Sequence, residues 1–133
     1  MSITSFILIL TVLYTSATAE HHKPATNPDL LVTVTRISKE FANINTSVSD
    51  TTLAEHGITH GDTFSARFGE RTIEPFLGKD YKDVPKGEWI ALIETDHKLQ
   101  IAISYGHAAT ELKCTVGDTL YITTKHHDGP DKD

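Results

Sequence analysis

Apolar and polar residues alternate in short runs along most of this chain, a pattern of half-buried strands rather than of long helices. The clearest stretch is EWIALIETDHKLQIAISYGHAATEL at 88–112. Two runs within it, 88–94 and 99–105, are rich in Trp, Ile, Leu and Tyr, and Thr95, Asp96, His97 and Lys98 separate them. A β-hairpin is expected there. Gly106 ends the second run, and His107, Ala108, Ala109, Thr110, Glu111 and Leu112 have the propensity of a short helix. Such a strand–turn–helix transition leaves backbone donors outside any ladder, which is where a strand-rich domain can read a flat polar ligand. A hairpin with a capping helix is the plainer reading of the same residues.

The rest of the chain repeats this grammar. LLVTVTRI at 30–37 sets Val32 and Val34 against threonines, as a first strand does. SKEFANINTSV at 38–48 continues with Phe41, Ile44 and Val48 apolar. On an extended segment Phe41 and Asn43 share a face, and an aromatic ring beside a carboxamide suits stacking on a base and reading its edge. A core Phe beside a turn Asn is the alternative. Ser49 or Asp50 caps a short helix at 51–56 that Gly57 ends, and a strand follows at 64–68. The order of helix, Gly-Asp-Thr and strand recurs at 107–112, Gly117-Asp118-Thr119 and 120–124. In both copies the Gly supplies an unusual φ and the Asp a local backbone bond, so Asp62 and Asp118 read as turn builders. Between the copies, 71–77 reads as a strand interrupted at Pro75, and 78–87 as a polar loop anchored by Tyr81 and Val84. The count, about seven short strands and two short helices, predicts an all-β domain, a mainly antiparallel β-barrel or sandwich.

Composition sets the limits around that domain. FILILTVLY at 6–14 followed by Ala17-Thr18-Ala19 has the form of a signal peptide, although no Lys or Arg precedes the apolar run. Residues 1–19 are therefore expected to be removed, leaving a secreted or periplasmic protein with no membrane association. The run is shorter than the roughly 20 residues of a spanning helix. Residues 20–29 read as a flexible leader, 30–125 as one domain and 126–133 as a disordered tail. The net charge of −6, with no Lys/Arg cluster, argues against nucleic acid and anionic membranes as partners. Cys114 is the single cysteine, so no internal disulfide forms, and a buried inert thiol is expected. His21-His22 and His126-His127 read as solvated tail residues, and Gly57 and Gly61 keep His56 and His60 from sharing a helix face. Neither a metal site nor a cofactor is expected. Asn45-Thr46-Ser47 is a glycosylation sequon.

Three motifs taken together, FANINTS, EHGITHGDTF and YKDVPKGEWIALIETDHKLQIAISYGHAATELKCTVGDTLYI, resemble the C-terminal domain of the S-adenosyl-L-methionine hydroxide adenosyltransferases and of the related fluorinase and chlorinase. The resemblance runs from about Val32 to Thr124. It implies a β-barrel that sits beside a larger N-terminal domain in a trimer, with active sites shared between neighbouring subunits. It also implies that Phe41 packs on adenine, that Asn43 contacts the purine, and that the backbone of Gly106, His107 and Ala108 meets the base edge. The methionine half departs from the pattern: Ser38 replaces an Asp, and Thr95 and Asp96 replace a Ser-Arg pair, so a ligand carboxylate would meet like charge. Ala42 for Gly and His107 for Asn are smaller departures. The residues before the first strand have no counterpart of the N-terminal domain, so no catalytic residue is assigned. The expected function is a stand-alone adenine- or adenosine-binding or oligomerisation module. The alternative is half of a split enzyme that hydrolyses S-adenosylmethionine to adenosine and methionine with a separately encoded N-terminal domain. An independent hydrolase using His56, His60 or His107 ranks last, because no nucleophile–base arrangement is visible.

Overall fold

A computed structural model describes residues 29–124. The expected signal peptide, residues 20–28 of the leader and the tail at 126–133 lie outside the described residues.

The strands are β1 (Leu30–Ile37), β2 (Ile44–Ser49), β3 (Phe64–Phe68), β4 (Arg71–Ile73), β5 (Phe76–Leu77), β6 (Trp89–Ile93), β7 (Lys98–Ile103) and β8 (Thr119–Thr124). Two short helices, α1 (Asp50–Glu55) and α2 (Ala108–Leu112), complete the regular structure with a 3-10 turn at Tyr81–Asp83. The all-β expectation holds. One sheet takes the order β4-β3-β8-β1-β2-β7-β6-β5. Its ladders are antiparallel except the short β5·β6 pair.

The sheet curls because its two edges, β4 and β5, are consecutive in the chain. Proline has no N–H to give a ladder, so the run at 71–77 breaks at Pro75 and yields two strands, one more than a single interrupted strand counts. Beyond the break, Phe64 N donates to the Pro75 carbonyl at 3.1 Å and Leu77 N to the Asp62 carbonyl at 2.8 Å. These bonds draw the far edge back toward β3 and leave few edge groups open.

Alternation places the core. Val32 and Val34 point inward from β1, Phe64 and Ala66 from β3, and Leu120 and Ile122 from β8, while Leu53 and Leu112 plug the ends from the two helices. β7 differs, since Leu99 through Ile103 are buried on both faces. Its outer face is covered by the loop at 78–87, where Val84 packs on Ile90, Leu92 and Ala102. That covering brings Tyr81 onto Gln100.

The two Gly-Asp turns are near copies. Asp62 Oδ2 accepts from Thr59 N at 2.8 Å, and Asp118 Oδ2 accepts from Thr115 N at 2.7 Å. Gly61 and Gly117 take φ of +98° and +97°, where a side chain is strained. The strands that follow, β3 and β8, pair with each other.

Candidate functional site

The turn between β1 and β2 departs from the extended reading. Ser38 N donates to the Asn43 carbonyl, Ala42 N to the Ser38 carbonyl, and Asn43 N to Ser38 Oγ at 2.9 Å. These bonds close a compact loop with Ala42 in the left-handed region at φ +52°. A run of polar residues with no partner strand favours a turn over continued pleating. As a result Phe41 and Asn43 do not alternate on a strand: Phe41 is 54% exposed and Asn43 only 6%.

Both nevertheless line one cleft of about 340 Å³, together with Tyr81, Ile103, Tyr105, Gly106, Asp80 and Lys82. Three of the exposed large side chains, Phe41, Tyr81 and Tyr105, stand around it. Behind the polar wall, Gln100 joins Asn43 and Tyr81 in a network. Asn43 Nδ2 donates to the Tyr81 hydroxyl at 3.1 Å and to Gln100 Oε1 at 3.4 Å, and the Tyr81 hydroxyl donates to the same Oε1 at 3.0 Å. Burial, and then the charge of Glu94, pushes the Tyr81 hydroxyl above its ordinary pKa, so it stays a neutral donor. Asp80 caps the 3-10 turn that carries Tyr81, in a reciprocal arrangement with Asp83.

Tyr105 is held at φ +60°, and its ring lies 4.5 Å from the Lys86 ammonium. Gly106 is required next to it, because a Cβ there would meet Ile103 Cγ2 at 2.5 Å. Ala109 N donates to the Ala42 carbonyl at 2.8 Å, tying the start of α2 to the 38–43 turn.

Of the five residues anticipated at the site, the structure brings Phe41, Asn43 and Gly106 to the cleft. His107 is an exposed N-cap residue and Ala108 is buried; neither lines the cavity. Their N–H groups donate to no described residue. Tyr81 and Tyr105 were not singled out for the site from sequence. The signal for Tyr81 was its place in YKDV; Tyr105 had only its position before Gly106.

Two of the residues at which the resemblance is broken, Ser38 and Asp96, have local backbone partners. Ser38 Oγ is used within its turn, and Asp96 Oδ1 accepts from Lys98 N at 2.9 Å. Asp96 stands before the start of β7 and the cleft residues at its end, about 16 Å apart at 3.3 Å per strand residue.

A larger concavity of about 700 Å³ is lined by residues including Arg71, Asp83, Glu88 and Trp89. It is the more open of the two. Arg71 pairs with Glu111 at 3.5 Å, and Asp83 accepts from Lys79 N and Asp80 N. The smaller cleft, with aromatic walls and a few convergent polar groups, has the form of a ligand site. His56 Nδ1 lies 3.0 Å from the Thr52 carbonyl, and no cluster of three metal-ligating side chains exists among the described residues. Cys114 is buried, and burial followed by the Asp118 charge raises its thiol pKa. No helix among the described residues is long and apolar enough to cross a membrane.

Comparison with solved structures finds the fold again. An uncharacterized conserved protein from Thermotoga maritima is similar with a TM-score of 0.69 and 23% identity, covering 73% of this chain and 36% of that one. A conserved hypothetical protein from Thermus thermophilus is similar with a TM-score of 0.50 and 17% identity, covering 69% and 34%. The chain thus spans about a third of the length of these relatives. No curated protein matches significantly. The family model for the SAM hydroxide adenosyltransferase C-terminal domain matches residues 33–121. Since that match covers the whole sheet but for the first three residues of β1 and the last three of β8, the chain belongs to the family of SAM hydroxide adenosyltransferase C-terminal domains.

Proposed function

We propose that this domain is a binding module whose cleft takes the adenine ring of adenosine or a related adenosyl compound. The observation that carries the reading is the convergence of Phe41 and Tyr105, both largely exposed, on the cleft that Asn43 lines. Exposed aromatic rings around a polar group are what a flat heteroaromatic ligand requires.

The expected affinity is low. Stacking one base contributes roughly 1–3 kcal/mol and each net hydrogen bond about 1 kcal/mol. Immobilising the ligand opposes these gains, so the dissociation constant should lie between about micromolar and millimolar. No catalysis by the domain alone is proposed, because the cleft presents no activated nucleophile or base. Titration calorimetry or ligand-observed NMR with adenosine, comparing the wild type with Phe41→Ala and Asn43→Ala, tests the reading. Equal binding by all three proteins would exclude this cleft.

A second reading is favoured by one observation: the chain spans only about a third of its structural relatives. In it, an N-terminal-type domain completes the site and the pair hydrolyses S-adenosylmethionine. Co-purification from the native host should then recover that domain. A trimer is the assembly expected from the resemblance, and light scattering on the purified protein reads it directly. Export with cleavage after Ala19 is part of the proposal. N-terminal sequencing of exported material should begin Glu-His-His.

A further inference from the structure

Amide side chains present either a donor or an acceptor, and which one faces a ligand is ordinarily undetermined by shape. Here a backbone group determines it. The Arg36 carbonyl can only accept, so the Asn45 atom 3.3 Å from it must be Nδ2. Asn45 Oδ1 then faces Gln100, its register partner on β7, and takes a hydrogen bond from Gln100 Nε2 at 3.3 Å. Gln100 is left with Oε1 toward Tyr81 and Asn43, where it accepts from the Tyr81 hydroxyl and from Asn43 Nδ2. The last amide in the relay has its nitrogen committed twice, to Tyr81 and to Gln100. Asn43 Oδ1 accepts from no donor among the described residues, yet no buried side-chain polar atom there lacks a partner, so this oxygen keeps access to the cleft or solvent.

Resting on the proposed binding role of the cleft, we infer that Asn45 and Gln100, neither of which lines it, fix the Asn43 carboxamide with its oxygen outward and so select a ligand edge that donates a hydrogen bond. They are positioning residues. A 6-amino purine offers such an edge and purine riboside, which lacks the amino group, does not. An amide free to turn would serve either ligand with less discrimination.

The test has two arms. In the ligand-free protein, the Asn43 side-chain NH₂ should be protected from hydrogen exchange, with about tenfold slower exchange than an exposed carboxamide, and the protection should fall in Asn45→Ala. In binding, the wild type should prefer adenosine to purine riboside by about tenfold, the worth of one well-formed hydrogen bond. That ratio should approach one in Asn45→Ala and in Gln100→Leu, while affinity for purine riboside stays within about twofold. Asn45 is only half-buried, so its variant is expected to fold even if Gln100→Leu does not. An unchanged ratio in the variants, or fast exchange of the Asn43 amide in the wild type, overturns the inference. Failure of any nucleoside to bind, with the Asn43 amide protected, would instead refute the proposed function and leave the relay standing.

Discussion

The N–H of Ala109 donates to the Ala42 carbonyl at 2.8 Å, joining α2 to the 38–43 turn. The bond ties the turn that carries Phe41 and Asn43 to the helix that follows Tyr105 and Gly106, all four of which line the cleft. Phe41 stands one residue before the acceptor, and Gly106 lies three before the donor.

Ala42 occupies the left-handed region at φ +52°, at a position where the resemblance implies Gly. A non-glycine residue there costs about 1–2 kcal/mol, against about 0.5–1 kcal/mol of extra chain entropy lost by Gly. Ala42→Gly should therefore stabilise the protein by about 0.5–1 kcal/mol, read from the urea midpoint. A destabilisation would show that the turn is not held as described.

Gly106→Ala should have the opposite sign. The added Cβ would lie 2.5 Å from Ile103 Cγ2 in a packed strand end. Overpacking of this kind costs about 1–3 kcal/mol, and relief by moving residues 105–107 would also reshape the cleft. Urea unfolding and adenosine titration of the variant should both report losses.

Acid should weaken the fold through two carboxylates. Hydrogen bonds from Lys79 and Asp80 N–H groups lower the Asp83 pKa from 3.8. The Asp50 pKa is also lowered from 3.8: burial opposes the shift, but the Thr51 N–H and His97 outweigh it. A depressed pKa means that the folded state binds fewer protons than the unfolded one. The stabilisation is complete above the ordinary carboxylate value and is lost as pH falls through it and below. Urea midpoints should decline between about pH 5 and pH 3, and Asp83→Asn should flatten part of that decline. Asp50 Oδ2 lies 3.4 Å from His97 Nδ1 with its side chain partly in water, so its share of the effect should also shrink with added salt.

Cys114 should be silent in the native state. Its thiol is buried and its pKa raised, so thiol reagents should label it only as fast as the protein opens. Labelling at the rate of a free peptide thiol under native conditions would contradict its placement in the core.

Much of the fold was legible because local chemistry and global topology agree. The hairpin of β6 and β7, the break at Pro75 and the twin Thr-x-Gly-Asp turns are each written in neighbouring residues. The cleft was less so. Phe41 and Asn43 could be paired by spacing, but their geometry came from a turn that depends on Ser38 and on a left-handed Ala42. Tyr81 and Val84 were legible as anchors of their loop, but that the loop folds over β6 and β7 and sets Tyr81 against Gln100 is a long-range contact with no local signature. The orientation of Asn43 depends on residues of three strands, Arg36 on β1, Asn45 on β2 and Gln100 on β7, which no spacing rule connects.

The central claim is that adenosine enters the cleft between Phe41, Tyr81 and Tyr105. Backbone amide chemical shifts during an adenosine titration of isotope-labelled protein test it most directly. The account predicts saturable shifts concentrated at 38–43, 80–82 and 103–108, weakened about tenfold or more by Phe41→Ala. Saturable shifts clustered around Arg71, Glu88 and Trp89 instead, or none at millimolar adenosine, would contradict it.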